Sequence, residues 1–159
     1  MRPPKPKPWG ELSSFERGAA NVGIKWSSKL NVLLYRATGG RVGGRFLAGE
    51  PLLLLTTIGN KSKKRRTLPL IYLADGEDLV VVASKGGSPE HPDWYKNLVA
   101  EPRVEVQVGS RTEPRVAVTA DAGERARLWP ALCALYPPYQ EYQDVTEREI
   151  PVVLLRPPR

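Results

Sequence analysis

From Pro51 onward the chain is a succession of short apolar runs, each of strand length and almost every one closed by a turn former. "PLLLLTTI" (51–58), "TLPLIYLAD" (67–75), "LVVVAS" (79–84), "RVEVQVGS" (103–110), "PRVAVTA" (114–120) and "IPVVLLR" (150–156) are too short for helices of several turns. They are rich in the β-branched and aliphatic residues that pack well on a pleated surface. Asp75-Gly76 joins the second run to the third with a hairpin signal. Val104, Val106 and Val108 alternate with polar residues, as in a strand with one wet face. Short spacings imply antiparallel pairing. Helices interrupt the pattern twice. "HPDWYKNLVAEP" has Pro92 where a first helical turn tolerates it and Pro102 past the end. Asp121 and Glu124 form a capping-box variant opening "DAGERARLW", after which Pro130 either kinks that helix or starts another, and Pro137-Pro138 breaks it. The expected fold is α+β and mainly β: a partly closed barrel of six antiparallel strands with short inserted helices.

Three regions divide the chain. Residues 1–10, "MRPPKPKPWG", read as a disordered Pro-rich arm. Residues 11–49 read as an amphipathic helix and a Gly-rich hinge, and 50–159 as the barrel domain. In the helix, expected from about Ser13 to Arg36, Leu12, Phe15, Ala19, Val22, Trp26, Leu30 and Leu33 fall at alternating spacings of three and four and form one apolar stripe. Arg17, Lys25, Lys29 and Arg36 accompany it, so the helix suits either an anionic membrane surface or packing on protein. "TGGRVGGRF" (38–46) reads as flexible. The net charge of +7 is uneven: residues 1–66 hold 14 Lys and Arg against 3 Asp and Glu, the remainder 10 against 14. An anionic partner is expected at the arm and the first loop. No run of ~18 apolar residues for a spanning helix occurs, and the lone Cys133 admits no intramolecular disulfide. A cytoplasmic protein is expected, with peripheral contact at the inner face of the cell membrane. The single His91, in a Pro-flanked loop, leaves no multi-histidine metal site, so no metal is expected and a cofactor would carry any redox chemistry.

Three constellations could carry function. "NKSKKRR" (60–66) is wedged between two apparent strands, so its cations could converge on one anion, although a solvated hairpin tip has the same composition. "ASKGG" (83–87) ends the third strand with a hydroxyl, a cation and two glycines that permit close backbone approach to a ligand, or simply make a turn. "LYPPYQEYQ" spaces Tyr136, Tyr139 and Tyr142 by three, which fans three phenols over one side of a helical turn, to cover a flat ring, donate to a developing oxyanion, or fill core.

Taken in order, "LLTTIGNKSKKRRTLPL", "DG", "ASKGGSPEHPDWYKNL", "EPRVEVQV", "LWPALCALYPPYQEYQ" and "IPVVLL" resemble the deazaflavin (F420)-dependent nitroreductase family. This is the F420H2-dependent FDOR-A branch of the split β-barrel flavin/deazaflavin oxidoreductases of actinobacteria. The resemblance implies a six-stranded antiparallel split β-barrel, preceded by the helix and hinge as an arm. It implies that coenzyme F420 lies in a groove with its phosphate and oligoglutamate tail over Asn60, Lys61, Ser62 and Arg66, with Lys85 nearby. Thr67, Leu68, Pro69, Leu70, Ile71, Val82, Ala83, Ser84, Asp93, Trp94, Tyr95 and Asn97 would complete the cofactor-binding set together with Tyr139. Ser84 and Tyr139 match residues near the ring and substrate. Tyr139 would orient the acceptor or give it a proton, while Tyr136 and Tyr142 wall and cap the pocket. Two departures stand out: Lys63, Lys64 and Arg65 replace a common Gly-x-Pro turn, and Ile71 stands where nitroimidazole-activating members have tyrosine, with Tyr72 beside it.

The implied activity is hydride transfer from the C5 carbon of F420H2 to a small electron-poor acceptor, a quinone or an activated C=C bond (enone), with nitro compounds put in doubt by Ile71. A non-catalytic F420-binding carrier is the alternative. Nucleic acid is not an expected partner, because aromatics are not interleaved with the loop cations. A monomer or a homodimer fits equally.

Overall fold

The computed structural model describes residues 29–46 and 49–159. The Pro-rich arm and the first part of the expected helix lie outside the described residues. Helix α1 covers residues 29–38 of them. There follow β1 (Leu52–Ile58), β2 (Arg65–Ile71), β3 (Leu73–Asp75), β4 (Asp78–Val82), a 3-10 turn (Lys85–Gly87) and α2 (Asp93–Ala100). After these come β5 (Arg103–Val108), β6 (Arg111–Thr119), α3 (Ala122–Leu135), α4 (Pro138–Asp144) and β7 (Val152–Arg156).

All strands join one antiparallel sheet in the order β2-β1-β5-β6-β7-β4-β3. Its two edges, β2 and β3, are consecutive in the chain and separated by Tyr72 alone. The chain thus leaves one edge and enters the other within a residue, which requires the sheet to curl into a nearly closed barrel. This also corrects the strand count: seven strands stand where six apolar runs predicted six, because "TLPLIYLAD" divides between two partners, β1 and β4. At the break the Tyr72 amide donates to the Pro51 carbonyl at 3.2 Å instead of joining a ladder.

The barrel is buried on both sides, which explains the unbroken "LLLL" of β1. Leu53 and Leu55 point inward to Val81, Val106, Val153 and Leu155, with Trp94 and Leu98 of α2 completing that core. Leu52 and Leu54 point outward and are covered by Tyr35 of α1. Each leucine withdrawn from water contributes roughly 2 kcal/mol. On the far side Val80, Val82, Val152 and Leu154 are covered by Leu128 and Leu132 of α3, Tyr139 of α4, and Ile150.

Packing defines the described part of the N-terminal region. α1 is held by Tyr35, 1% exposed, whose hydroxyl donates to the Leu52 carbonyl at 3.1 Å and accepts from the Gly109 amide at 2.7 Å. The stripe members Leu30 and Leu33 are 58% and 65% exposed, so the end of the stripe that is described faces outward. The glycine-rich segment is a packed turn: a Cβ on Gly40 would lie 3.0 Å from the Gly109 Cα and 3.2 Å from the Tyr35 ring. Elsewhere α3 carries the expected capping box, with Asp121 accepting from the Glu124 amide at 2.8 Å. It runs continuously through Pro130.

Candidate cofactor and acceptor site

The loop between β1 and β2 is a tight turn closed by Gly59 N–H to the Lys64 carbonyl and Lys63 N–H to the Gly59 carbonyl, both 2.8 Å. A side chain at Gly59 would put its Cβ 2.4 Å from Ser62 Oγ and 3.3 Å from the Lys64 carbonyl, so a larger residue there would push the Ser62 hydroxyl aside. Lys63 sits at φ 58°, in the left-handed region that favours glycine. Asn97, 8% exposed on α2, fixes the loop from below, donating to Thr57 Oγ1 at 3.1 Å and accepting from the Asn60 amide at 3.0 Å. Asn97 therefore shapes the loop from within the fold. All of Asn60 to Arg66 is exposed. Arg65 is tied to Glu105 at 2.8 Å, whereas Lys61, Lys63 and Lys64 have no ion pair among the described residues. Among the described residues Arg66 reaches only Ser62 Oγ, at 3.5 Å.

Along β2 the alternation of the strand separates the residues expected to line the cofactor. Leu68 and Leu70 pack on the barrel core. Thr67 bonds Thr56 across the ladder at 2.7 Å and receives Arg36 of α1 at 3.2 Å, and Ile71 packs beside Tyr35. Tyr72 turns the opposite way, onto the barrel core. Val82, Ala83 and Trp94 are buried core residues, and Asp93 is exposed beside Lys96 at 4.0 Å. Tyr95 bonds Thr119 Oγ1 at 3.1 Å and leans on His91, ring centroids 4.9 Å apart. These expected residues thus do not form one surface through their side chains; Asn60 to Arg66 do share one loop.

The turn after β4 approaches the tyrosines. Lys85 is at φ 44° and its ammonium is 3.9 Å from Glu90. Gly87, at φ 80°, lies so close to α4 that a Cβ would come within 2.7 Å of Val145 Cγ2 and 2.9 Å of the Tyr142 carbonyl. Ser84, which opens this turn, is partly exposed, and its hydroxyl makes no hydrogen bond among the described residues. Tyr136 caps α3 while Tyr139 and Tyr142 belong to α4, so the three phenols bridge two helices instead of sharing one. They still converge. Tyr136 is edge-on to Tyr139 at 4.9 Å, and its hydroxyl is 3.3 Å from that of Tyr142. Tyr139 is 5% exposed and buried among apolar residues. Burial first, then neighbouring Tyr142 and the Glu50 carboxylate, push its pKa far above the ordinary phenol value. Burial and the Tyr142 hydroxyl do the same to Tyr136.

Three residues invisible to the sequence reading join this region. Glu50, 9% exposed, is the carboxylate near the phenols. Phe46 meets the Tyr136 ring edge-on at 5.9 Å. Arg148 reaches the β4 turn, its Nη2 donating to the Ser84 carbonyl at 2.8 Å. No local motif signals contacts across 64 residues of chain, as Arg148 to Ser84 requires.

The curled antiparallel barrel is the split β-barrel fold that a solved F420-H2 dependent reductase shares. The sequence matches the F420H(2)-dependent quinone reductase family over residues 26–157, and the chain belongs to that family. It is an F420H2-dependent oxidoreductase, with F420 as its cofactor. An F420H(2)-dependent quinone reductase of Mycobacterium tuberculosis is 43% identical over 133 residues, 80% of this chain and 87% of the relative. The solved structure of an F420-H2 dependent reductase (FDR-A) is 44% identical with a TM-score of 0.62, covering 67% of this chain and 94% of that one. A second solved structure, described as a domain-swapped dimer, is 37% identical with a TM-score of 0.64, covering 86% and 99%.

Proposed function

We propose that this chain reduces quinones, with F420 lying between the cationic rim loop and the Ser84 turn and the acceptor against the tyrosine cluster. The observation carrying the reading is Tyr139. It is a buried phenol, strongly held in its protonated form, whose hydroxyl makes no hydrogen bond among the described residues. The donor set suits the cofactor: Lys61, Lys63 and Lys64, without ion pairs among the described residues, match the phosphate and carboxylates of an anionic tail. Bound F420H2 supplies two electrons as hydride.

The chain's own work is holding and polarising. Lys61 and Arg66 hold the tail, and the backbone of Arg66–Ile71, with the Ser84 hydroxyl, fixes the ring. Tyr139 donates a hydrogen bond to the quinone oxygen on which negative charge grows as hydride arrives. Burial favours the protonated phenol, so Tyr139 is poised to orient the acceptor or give it a proton. Tyr136 and Tyr142, joined through their hydroxyls, wall the acceptor. Ile71 offers nitro groups no donor, and an enone remains a secondary substrate.

The test has two steps. F420 should quench on binding at micromolar protein, and F420H2 should turn over with menadione faster than with cyclohexenone and far faster than with a nitroimidazole. Binding without quinone turnover would replace this reading with the carrier alternative. The outward Leu30 and Leu33, on the same helix as exposed Arg36, support delivery of the quinone from a membrane surface.

A further inference from the structure

We propose that Arg148 is the positioning residue for the turn that carries Ser84 and Lys85. Its guanidinium donates through Nε to the Ser88 carbonyl at 2.8 Å, through Nη2 to the Ser84 carbonyl at 2.8 Å and through Nη1 to the Ala83 carbonyl at 3.2 Å. Nη1 also faces His91 Nδ1 at 3.1 Å. One planar fork thus ties both ends of the turn to the segment before β7.

The turn needs such a tie. Lys85, Gly86 and Gly87 lie in succession at φ 44°, 61° and 80°, and the left-handed region crowds a lysine Cβ against its own backbone. Its own closures are two short-range bonds, Gly87 N–H to Ser84 O at 3.0 Å and Ser88 N–H to Lys85 O at 3.1 Å. Three diverging carbonyls match the fixed donor geometry of arginine, which a lysine ammonium cannot span. Arg148 makes no ion pair with a carboxylate among the described residues; its contacts there are three carbonyls and His91 Nδ1, so its positive field falls on the Ser84 turn. The inference rests on the reading that F420 lies against this turn; the clamp then sets both the aim of the Ser84 hydroxyl and the affinity for an anionic cofactor.

Arg148→Met and Arg148→Lys in the full chain test it, with hydrogen exchange, binding of oxidised F420 by fluorescence quenching, and thermal unfolding. In Arg148→Met, exchange at the Gly87 and Ser88 amides should rise about tenfold while β5 and β6 stay protected, and the F420 Kd should rise about tenfold, as expected for losing charge-assisted bonds. Arg148→Lys should recover part of the affinity, through its charge, but little of the protection. A folded variant with unchanged local exchange and a Kd within twofold of wild type would overturn the proposal. So would a uniform rise in exchange across every strand, which marks a merely structural role. Should Arg148→Met not fold, Arg148→Lys carries the same test. If the wild type itself fails to bind F420, the functional reading falls, and the exchange measurement still decides the role of the clamp.

Discussion

Tyr139 concentrates the chemistry at the scale of single residues. Tyr139→Phe removes a hydroxyl without altering the apolar packing, so kcat with a quinone should fall on the order of 100-fold while F420 affinity holds. Steady-state kinetics beside a quenching titration reads both quantities. Its place in the chain was legible from the family's "YPPYQEYQ", but its burial and the Glu50 carboxylate near it were not. Lys63 is the opposite case, a residue whose backbone contradicts its side chain. At φ 58° it holds a conformation suited to glycine, so Lys63→Gly should raise stability by about 0.5–1 kcal/mol in urea unfolding. His91 adds a pH dependence. Burial, Arg148 and Lys96 hold its folded pKa below the ordinary 6.5. The neutral form is thus the one the fold favours. Its contribution is complete above the unfolded pKa and declines as pH falls below it, so stability should drop on acidification from pH 7 toward 5, and His91→Gln should flatten that slope in melts across the range.

Among the elements, the strands and α3 follow from local chemistry. The alternation of Val104, Val106 and Val108 predicts β5, and the Asp121–Glu124 box predicts where α3 begins. The helix of α4, by contrast, owes its position to Gly87. A methyl there meets Val145 and the Tyr142 carbonyl under 3 Å at a φ of 80°. Gly87→Ala should destabilise the fold by about 1–3 kcal/mol and, because the helix must shift, raise the quinone KM. A urea melt and acceptor kinetics on one preparation would show both effects. The sequence reading left those glycines either admitting a ligand or simply making a turn; the fold uses Gly87 to admit a helix as well.

Over the whole molecule, positive charge gathers toward the first 66 residues, and the described end of the apolar stripe points away from the barrel. In liposome flotation with anionic lipid, full-length protein should float and a chain starting at Gly49 should not, with the difference fading as salt screens the cations. Equal flotation of the two would remove the arm from membrane contact.

Periodicity, turn residues and the run of cations at 61–66 were enough to predict an antiparallel barrel with a charged rim, because each depends on neighbours a few residues away. Which partner each half of "TLPLIYLAD" would choose depended on barrel closure, and so Tyr72 became a corner. Which face of α1 would be buried depended on where Tyr35 found the Leu52 carbonyl and the Gly109 amide. The approach of Phe46, Glu50 and Arg148 to the phenols and the Ser84 turn likewise exists only once the sheet has curled, since contacts across so much chain leave no local pattern to read.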